Sequence, residues 1–222
     1  YKEAGAYVEF VGHPLVDIVK PLMTKEEAMA FAGKEEGKKL ILLMPGSRLM
    51  EIEKMLPTLL EAAKIIKKQL PEVSFVMPRA GTIPISLLEE KIQASGLDVK
   101  ITEGNNYDLF SVADLALATS GTVTLEAALC GLGSVIVYKT NPVTYFIAKL
   151  LVNIPHIGLP NIVAAKSVVP ELIQNDFTPT KVAQEALALL ESERNAKMKE
   201  DLVYVKERLG KPGAVGRVAE LV

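Results

Sequence analysis

Short aliphatic runs alternate along this chain with longer stretches of helical period, and this alternation limits the fold more than any other feature. The runs are KLILLM (39–44), VSFVM (73–77), DVKIT (98–102), DLALA (114–118) and SVIVYK (134–139). Strand-length runs separated by helix-length amphipathic stretches are the pattern of βαβ units, whose strands lie parallel. LILLM has no polar alternation, so both of its faces must be covered by helices. The expected fold is α/β: a Rossmann-like parallel sheet with helices on both faces.

Ile52, Met55, Leu56, Leu59, Leu60, Ala63 and Ile66 recur at helical spacings, with Glu53, Glu61, Lys64, Lys67 and Lys68 mostly on the other side. This predicts a helix over 51–69 packed on the sheet. Pro57 falls near its start, where it fits the first turn or kinks the second. Thr24 and Glu27 form a capping-box pattern that starts a helix near Lys25. Beyond Pro179 the pattern is helical throughout: 181–190, 194–209, a break at GKPG, and a last helix to Val222. At the other end Ala6, Val8 and Phe10 alternate as in a strand. The chain starts inside that pattern and without Met, as a piece of a longer protein or a processed one would.

With 222 residues, 49% of them hydrophobic, the chain can bury one substantial core or two small ones. Its 25 basic and 27 acidic residues nearly balance. Bulk charge therefore points to no nucleic-acid partner, and any anion must be bound by local geometry. One cysteine, Cys130, excludes an internal disulfide, and with only two histidines no zinc site is expected. No run reaches the roughly 18 apolar residues that cross a bilayer. The first residues lack the apolar core of a secretion signal, so a cytoplasmic location is expected.

Ligands of open parallel sheets bind where strands end and helices begin. Two such turns are rich in small residues, MPGSR (44–48) and ATSGT (118–122). Amides at a helix N-terminus favour an anion by roughly 0.3 to 2 kcal/mol. Ser47, Thr119, Ser120 and Thr122 add hydroxyls, and Gly46 and Gly121 allow close approach. Arg48 adds a cation whose planar fork suits phosphate. Either turn alone reads equally well as an ordinary capping turn, but two on one sheet suit a diphosphate. Arg48 with Glu51 also reads as a surface ion pair. Glu126 lies four residues after Thr122 among apolar neighbours, on the same helical face and one turn further in. Its carboxylate can accept from two sugar hydroxyls; the alternative is a capped or lysine-paired side chain. GLGSVI (131–136) precedes a strand instead of following one, and GKEEGKK (33–39) is one spacer short of a P-loop. No G-x-S-x-G elbow supports serine hydrolysis.

EFVGHPLVD (9–17), LLMPGSRLMEI (42–52), SGTVTLEAAL (120–129), VIVYKTNPVTYFIAKLLV (135–152), IGLPNIVA (157–164) and VPELIQ (169–174) occur in an order that resembles the carboxyl-terminal half of the lipid-A-disaccharide synthases. The resemblance implies a GT-B type glycosyltransferase, with two Rossmann-like lobes facing across a cleft. Residues 1–222 would be the UDP-sugar-binding domain, with 1–20 connecting from an absent amino-terminal lobe and about 194–222 a helical tail returning to it. The implied reaction moves 2,3-diacylglucosamine from UDP to 2,3-diacylglucosamine 1-phosphate, giving the lipid A disaccharide with no metal or cofactor. Arg48 would neutralise the diphosphate as UDP leaves, with Gly46 and Ser47 nearby. Ser120, Gly121 and Thr122 would bind phosphate, and Glu126 the ribose. Asn161 of LPN would line the cleft or serve only as a turn residue. The acidic residue expected to assist the acceptor belongs to the absent half, so this chain alone is expected to be inactive. A peptidoglycan N-acetylglucosaminyltransferase, a UDP-sugar epimerase or a non-catalytic UDP-sugar-binding subunit are the competing readings.

Tyr145, Phe146, Ile147, Leu150, Leu151 and Val152, with Lys139 and Lys149, form an apolar stretch that suits either a core helix or acyl chains at the inner face of the inner membrane. A membrane surface and a second copy are thus candidate partners. His13 is expected to be structural, His156 has no evident partner, and Cys130 is expected to be buried and inert. Without the other lobe, the apolar face of the last helix would be exposed or pair with another copy.

Overall fold

The structure, a computed structural model, describes residues 4–141, 145 and 155–221. The Phe146–Val152 part of the apolar stretch lies outside the described residues. At the centre is a parallel sheet of β1 (Leu40–Met44), β2 (Ser74–Arg79), β3 (Lys100–Glu103), β4 (Leu115–Thr119), β5 (Ser134–Tyr138) and β6 (Glu171–Ile173). Their spatial order is β3-β2-β1-β4-β5-β6, and every pairing is parallel. All five expected strands form, β3 beginning two residues later than its apolar run. β6 escapes sequence reading because three residues led by a glutamate make no strand signal.

Around the sheet lie α1 (Leu15–Ile18), α2 (Lys25–Ala32), α3 (Leu49–Gln69), α4 (Ile85–Ser95), α5 (Asn106–Val112), α6 (Thr122–Leu129) and α7 (Leu159–Ala164). They are followed by α8 (Pro179–Leu190), α9 (Ser192–Arg208) and α10 (Ala214–Leu221). β1 is buried at all five positions. Ile41 and Leu43 share one core with Ile52 and Leu59 of α3 and Val182 of α8. Leu40, Leu42 and Met44 share the other with Ala28 of α2 and Phe110 of α5. Each fully buried aliphatic side chain contributes about 1.5 to 3 kcal/mol, so the two-sided covering accounts for the unbroken apolar runs.

Thr24 caps α2 as its spacing predicts, its hydroxyl accepting from the Glu27 amide while the Glu27 carboxylate accepts from the Thr24 amide. α3 runs unbroken from Leu49 to Gln69, placing Pro57 in the third turn and not in the first or second. Pro57 is exposed, so the Glu53 carbonyl that loses its partner faces solvent, while Met55, Leu56, Leu59 and Leu60 stay buried on the other side. The strand expected around Ala6, Val8 and Phe10 does not form. Tyr7 is 91% and Phe10 67% exposed, and alternation without a face to bury holds no strand in place.

The carboxyl-terminal helices match the expected layout. Leu209 accepts from the His13 amide at 2.9 Å, and Asp17 caps α10 by accepting from Gly213 and Ala214 at 2.7 and 3.2 Å. Arg217 donates to the carbonyls of Val11, Lys211 and Pro212, fastening the last helix to the first segment. Val215, Val218 and Leu221 are left exposed along α10.

β1 and β4 are neighbours, with Met44 in register with Ala118. From β1 the chain winds outward to β3, then crosses back to β4 and winds the other way. At such a switch point the loops diverge and open a crevice at the carboxyl ends of the strands.

Candidate functional site

The turns MPGSR and ATSGT follow β1 and β4, so the switch point brings them together. They line one cleft of about 390 Å³, with Gly46, Ser47 and Arg48 on one side and Ser120, Gly121, Thr122 and Glu126 on the other.

The first turn is not open to an anion through its backbone, contrary to expectation. Gly46 has φ +115°, and a Cβ there would collide with Glu51. The Glu51 carboxylate folds back over the turn and accepts from the amides of Ser47 at 2.9 Å and Arg48 at 3.3 Å. Its other oxygen takes the Arg48 guanidinium at 2.9 Å, so the surface pair read from the spacing is present. The Arg48 side chain is 81% exposed, free to swing from Glu51 toward a ligand. What this turn offers a diphosphate is the guanidinium.

The second turn is divided. Ser120 does not present the donors expected of it: its amide donates to Val137 at 3.0 Å and its hydroxyl to Ile157 at 2.9 Å. Ser120 is a strut between β5 and the loop before α7. The amides of Gly121, Thr122 and Val123 have no acceptor among the described residues, as the first turn of a helix requires. Gly121 has φ 169°, an extended conformation open to any residue, and no atom lies within 4 Å of a Cβ placed on it. The open end of α6, carrying its dipole, is the part of the cleft whose chemistry suits an anion.

Glu126 lies one turn into α6 on the cleft wall. It has no hydrogen bond or ion pair among the described residues, which removes the capped and lysine-paired readings. Burial pushes its pKa above the usual glutamate value. Nearby, burial and then the Glu126 charge raise the Tyr107 phenol. Among the described residues four buried side-chain polar atoms lack a partner. Three of them, Arg79 Nε, Asn106 Oδ1 and Thr119 Oγ1, belong to residues of the cleft wall, the atoms themselves turned into the protein. Each such atom costs about 1 to 3 kcal/mol while it stays unpaired.

Asn161 does not line the cleft. It is fully buried, its Nδ2 donating to Val169 and Glu171 and its Oδ1 accepting from Val168 and Val169. Glu171 in turn accepts from the amides of Ile157 and Gly158 at 2.8 and 3.1 Å. Asn161 thus fixes the loop whose Ile157 carbonyl holds Ser120. His156 Nδ1 stands 3.6 Å from the same carboxylate, the partner its sequence context does not reveal. His13 accepts from the Leu15 amide at 3.2 Å, a structural role as expected. Cys130 is half-buried and not fully so, and burial pushes its thiol up to about 11.

Arg79 and Asn106 are missed by sequence reasoning. Arg79 ends β2 and Asn106 starts α5 after the Gly-Asn-Asn turn, so both sit at the carboxyl edge where ligands bind. The strand-end rule, applied to β2 and β3 as it was to β1 and β4, finds them.

The family model described as lipid-A-disaccharide synthetase matches residues 1–217. The chain belongs to that family. The lipid-A-disaccharide synthase of Geobacter sulfurreducens is 43% identical over the whole of this chain. The chain spans only 58% of the length of that relative. Among solved structures, MnaA of S. aureus in complex with UDP superposes with a TM-score of 0.64 at 15% identity, over 94% of this chain and 52% of that one. The carboxyl-terminal domain of a group 1 glycosyltransferase (LpcC) from Francisella tularensis superposes with a TM-score of 0.56 at 15% identity, over 86% of this chain and 94% of that one. These structures share with this chain the fold of a parallel sheet with helices around it, as in glycosyltransferases of GT-B type.

Proposed function

We propose that these residues form the donor half of a lipid-A-disaccharide synthase, holding UDP-2,3-diacylglucosamine while an amino-terminal lobe presents 2,3-diacylglucosamine 1-phosphate. The observation that carries this reading is the unpartnered Glu126 carboxylate beside the open end of α6 at the switch point. The diphosphate lies against the amides of Gly121, Thr122 and Val123, and Glu126 accepts from the ribose hydroxyls. Attack by the acceptor hydroxyl on the anomeric carbon breaks its bond to UDP, and negative charge gathers on the departing diphosphate. The α6 amides are fixed donors aimed at that charge, and the exposed Arg48 guanidinium swings from Glu51 to meet it. The group that takes the acceptor proton comes from the other lobe.

Residues 1–20 are then the connection from that lobe, and about 194–222 the tail that returns, with Val215, Val218 and Leu221 of α10 as the side it covers. No described helix is long and apolar enough to cross a membrane. In this reading the lipid substrates suit a cytoplasmic enzyme working against the inner face of the inner membrane. The stretch 145–152 is a candidate contact with that surface, and a second copy is a further candidate partner.

A transferase assay tests the reading, run on the 222 residues alone and on the chain joined to its amino-terminal lobe. The joined chain is expected to use the diacylated donor in preference to UDP-N-acetylglucosamine, and the 222 residues alone to turn over neither. Equal use of the two donors, or normal turnover by the 222 residues alone, contradicts it.

A further inference from the structure

Residues 11–17 and 209–217 meet at one junction and hold each other from both sides. The His13 amide donates to Leu209, Asp17 accepts from Gly213 and Ala214, and Arg217 returns to the Val11 carbonyl at 2.9 Å. We propose that Arg217 is a positioning residue for sugar transfer: by clamping this junction it sets the angle at which the amino-terminal lobe meets the donor cleft. This rests on the donor-half reading above, in which both segments lead to that lobe.

Three glycines make a clamp necessary. Gly12, Gly210 and Gly213 have φ of +93°, +84° and +96°, in the left-handed region that glycine enters without strain. A Cβ on Gly210 would stand 3.1 Å from the Gly12 Cα, and one on Gly12 would stand 3.2 Å from the Lys211 carbonyl oxygen. The two backbones therefore touch, yet glycines alone leave them free to rotate past each other. Arg217 supplies the restraint. Its Nε donates to Val11 in the first segment, while Nη1 and Nη2 donate to Pro212 and Lys211 in the last at 2.9 and 2.7 Å. No carboxylate pairs with it among the described residues, so the planar fork serves backbone alone. A lysine keeps the charge but not the fork, and cannot span both segments in this way. None of the junction residues lines the donor cleft, so the clamp acts on transfer only through the placement of the lobes. Transfer needs the acceptor hydroxyl about 3 to 3.5 Å from the anomeric carbon, and a misplacement of about 1 Å costs about a hundredfold in rate.

The test compares wild type, Arg217→Ala and Arg217→Lys in two forms: the 222-residue chain titrated with UDP, and the chain joined to its amino-terminal lobe assayed for transfer. In the joined chain both substitutions are expected to lower kcat at least about tenfold, with KM for the donor within about threefold of wild type. In the 222-residue chain UDP affinity is expected to stay within about twofold, because the cleft itself is untouched. Small-angle X-ray scattering of the joined variants is expected to show a wider spread of lobe separations than wild type. Thermal unfolding checks each protein; Arg217→Lys keeps the charge and decides the matter if the alanine variant does not fold. Wild-type kcat in a folded variant, or UDP affinity falling in step with kcat, overturns the assignment while leaving the donor reading intact. If wild type neither binds UDP nor, once joined, transfers the sugar, the donor reading itself fails.

Discussion

At Gly46 the backbone has φ +115° and a Cβ would meet Glu51, whereas at Gly121 φ is 169° and a Cβ would meet nothing within 4 Å. The first glycine is required by the fold; the second is required by neither backbone nor packing, and in the proposed function it leaves room for the diphosphate. Gly46→Ala is expected to lower stability by about 1 to 3 kcal/mol, the cost of a strained backbone position. Gly121→Ala should leave the melting temperature unchanged and weaken UDP binding at least tenfold; thermal unfolding and calorimetry separate the two. Glu126 behaves oppositely to a stabilising carboxylate. Its pKa is raised in the folded chain by burial, so between the ordinary value and the raised one the folded chain binds the extra proton, and stability falls as pH rises through that window. Glu126→Gln, which cannot ionise, should therefore melt above wild type at neutral pH. The difference should vanish below the ordinary glutamate pKa of about 4.3, and the variant should bind uridine more weakly. A melting temperature that drops at neutral pH would show instead that the carboxylate is held by a protein partner.

Among the elements, α3 and α6 follow the same pattern of strand, small-residue turn and helix, yet the Ser47 and Arg48 amides before α3 are taken by a carboxylate, while those of Gly121 and Thr122 at the start of α6 have no acceptor among the described residues. The difference lies in Glu51, two residues inside α3, and it is not legible from spacing alone: reaching back to the Ser47 amide depends on the turn that Gly46 takes. α7 shows a longer chain of dependence, from the buried Asn161 through Glu171 and Ile157 to Ser120. Asn161→Ala leaves the amides of Val168 and Val169 without acceptors. It should lower stability by roughly 2 to 4 kcal/mol, in line with about 1 to 3 for each buried donor. UDP affinity should fall only a few-fold, because Asn161 acts through the loop and touches no ligand. A stable variant that has lost UDP binding outright would instead place Asn161 in contact with the donor.

For the whole molecule, the α/β class is legible because a strand buried on both faces must be apolar throughout, and β1 is. The order of strands is not, since the run from β3 to β4 reads the same whether β4 joins β1 or β3. That order makes the site: with β4 beside β1, two turns more than 70 residues apart in sequence face one cleft. Arg48, Thr122 and Glu126 can be picked out beforehand because each carries its chemistry in its own turn. Arg79 and Asn106 cannot be ranked so, because their unpartnered atoms arise only when the loops after β2 and β3 close over the cleft. The central claim is that this cleft holds UDP with Arg48 on the diphosphate and Glu126 on the ribose. Calorimetric titration of UDP and uridine into wild type, Arg48→Ala and Glu126→Ala tests it most directly. Arg48→Ala should weaken UDP by about 1.5 to 3 kcal/mol, the range for a charged hydrogen bond, and leave uridine nearly unchanged, while Glu126→Ala weakens both alike. Equal binding of UDP by all three proteins would contradict the account.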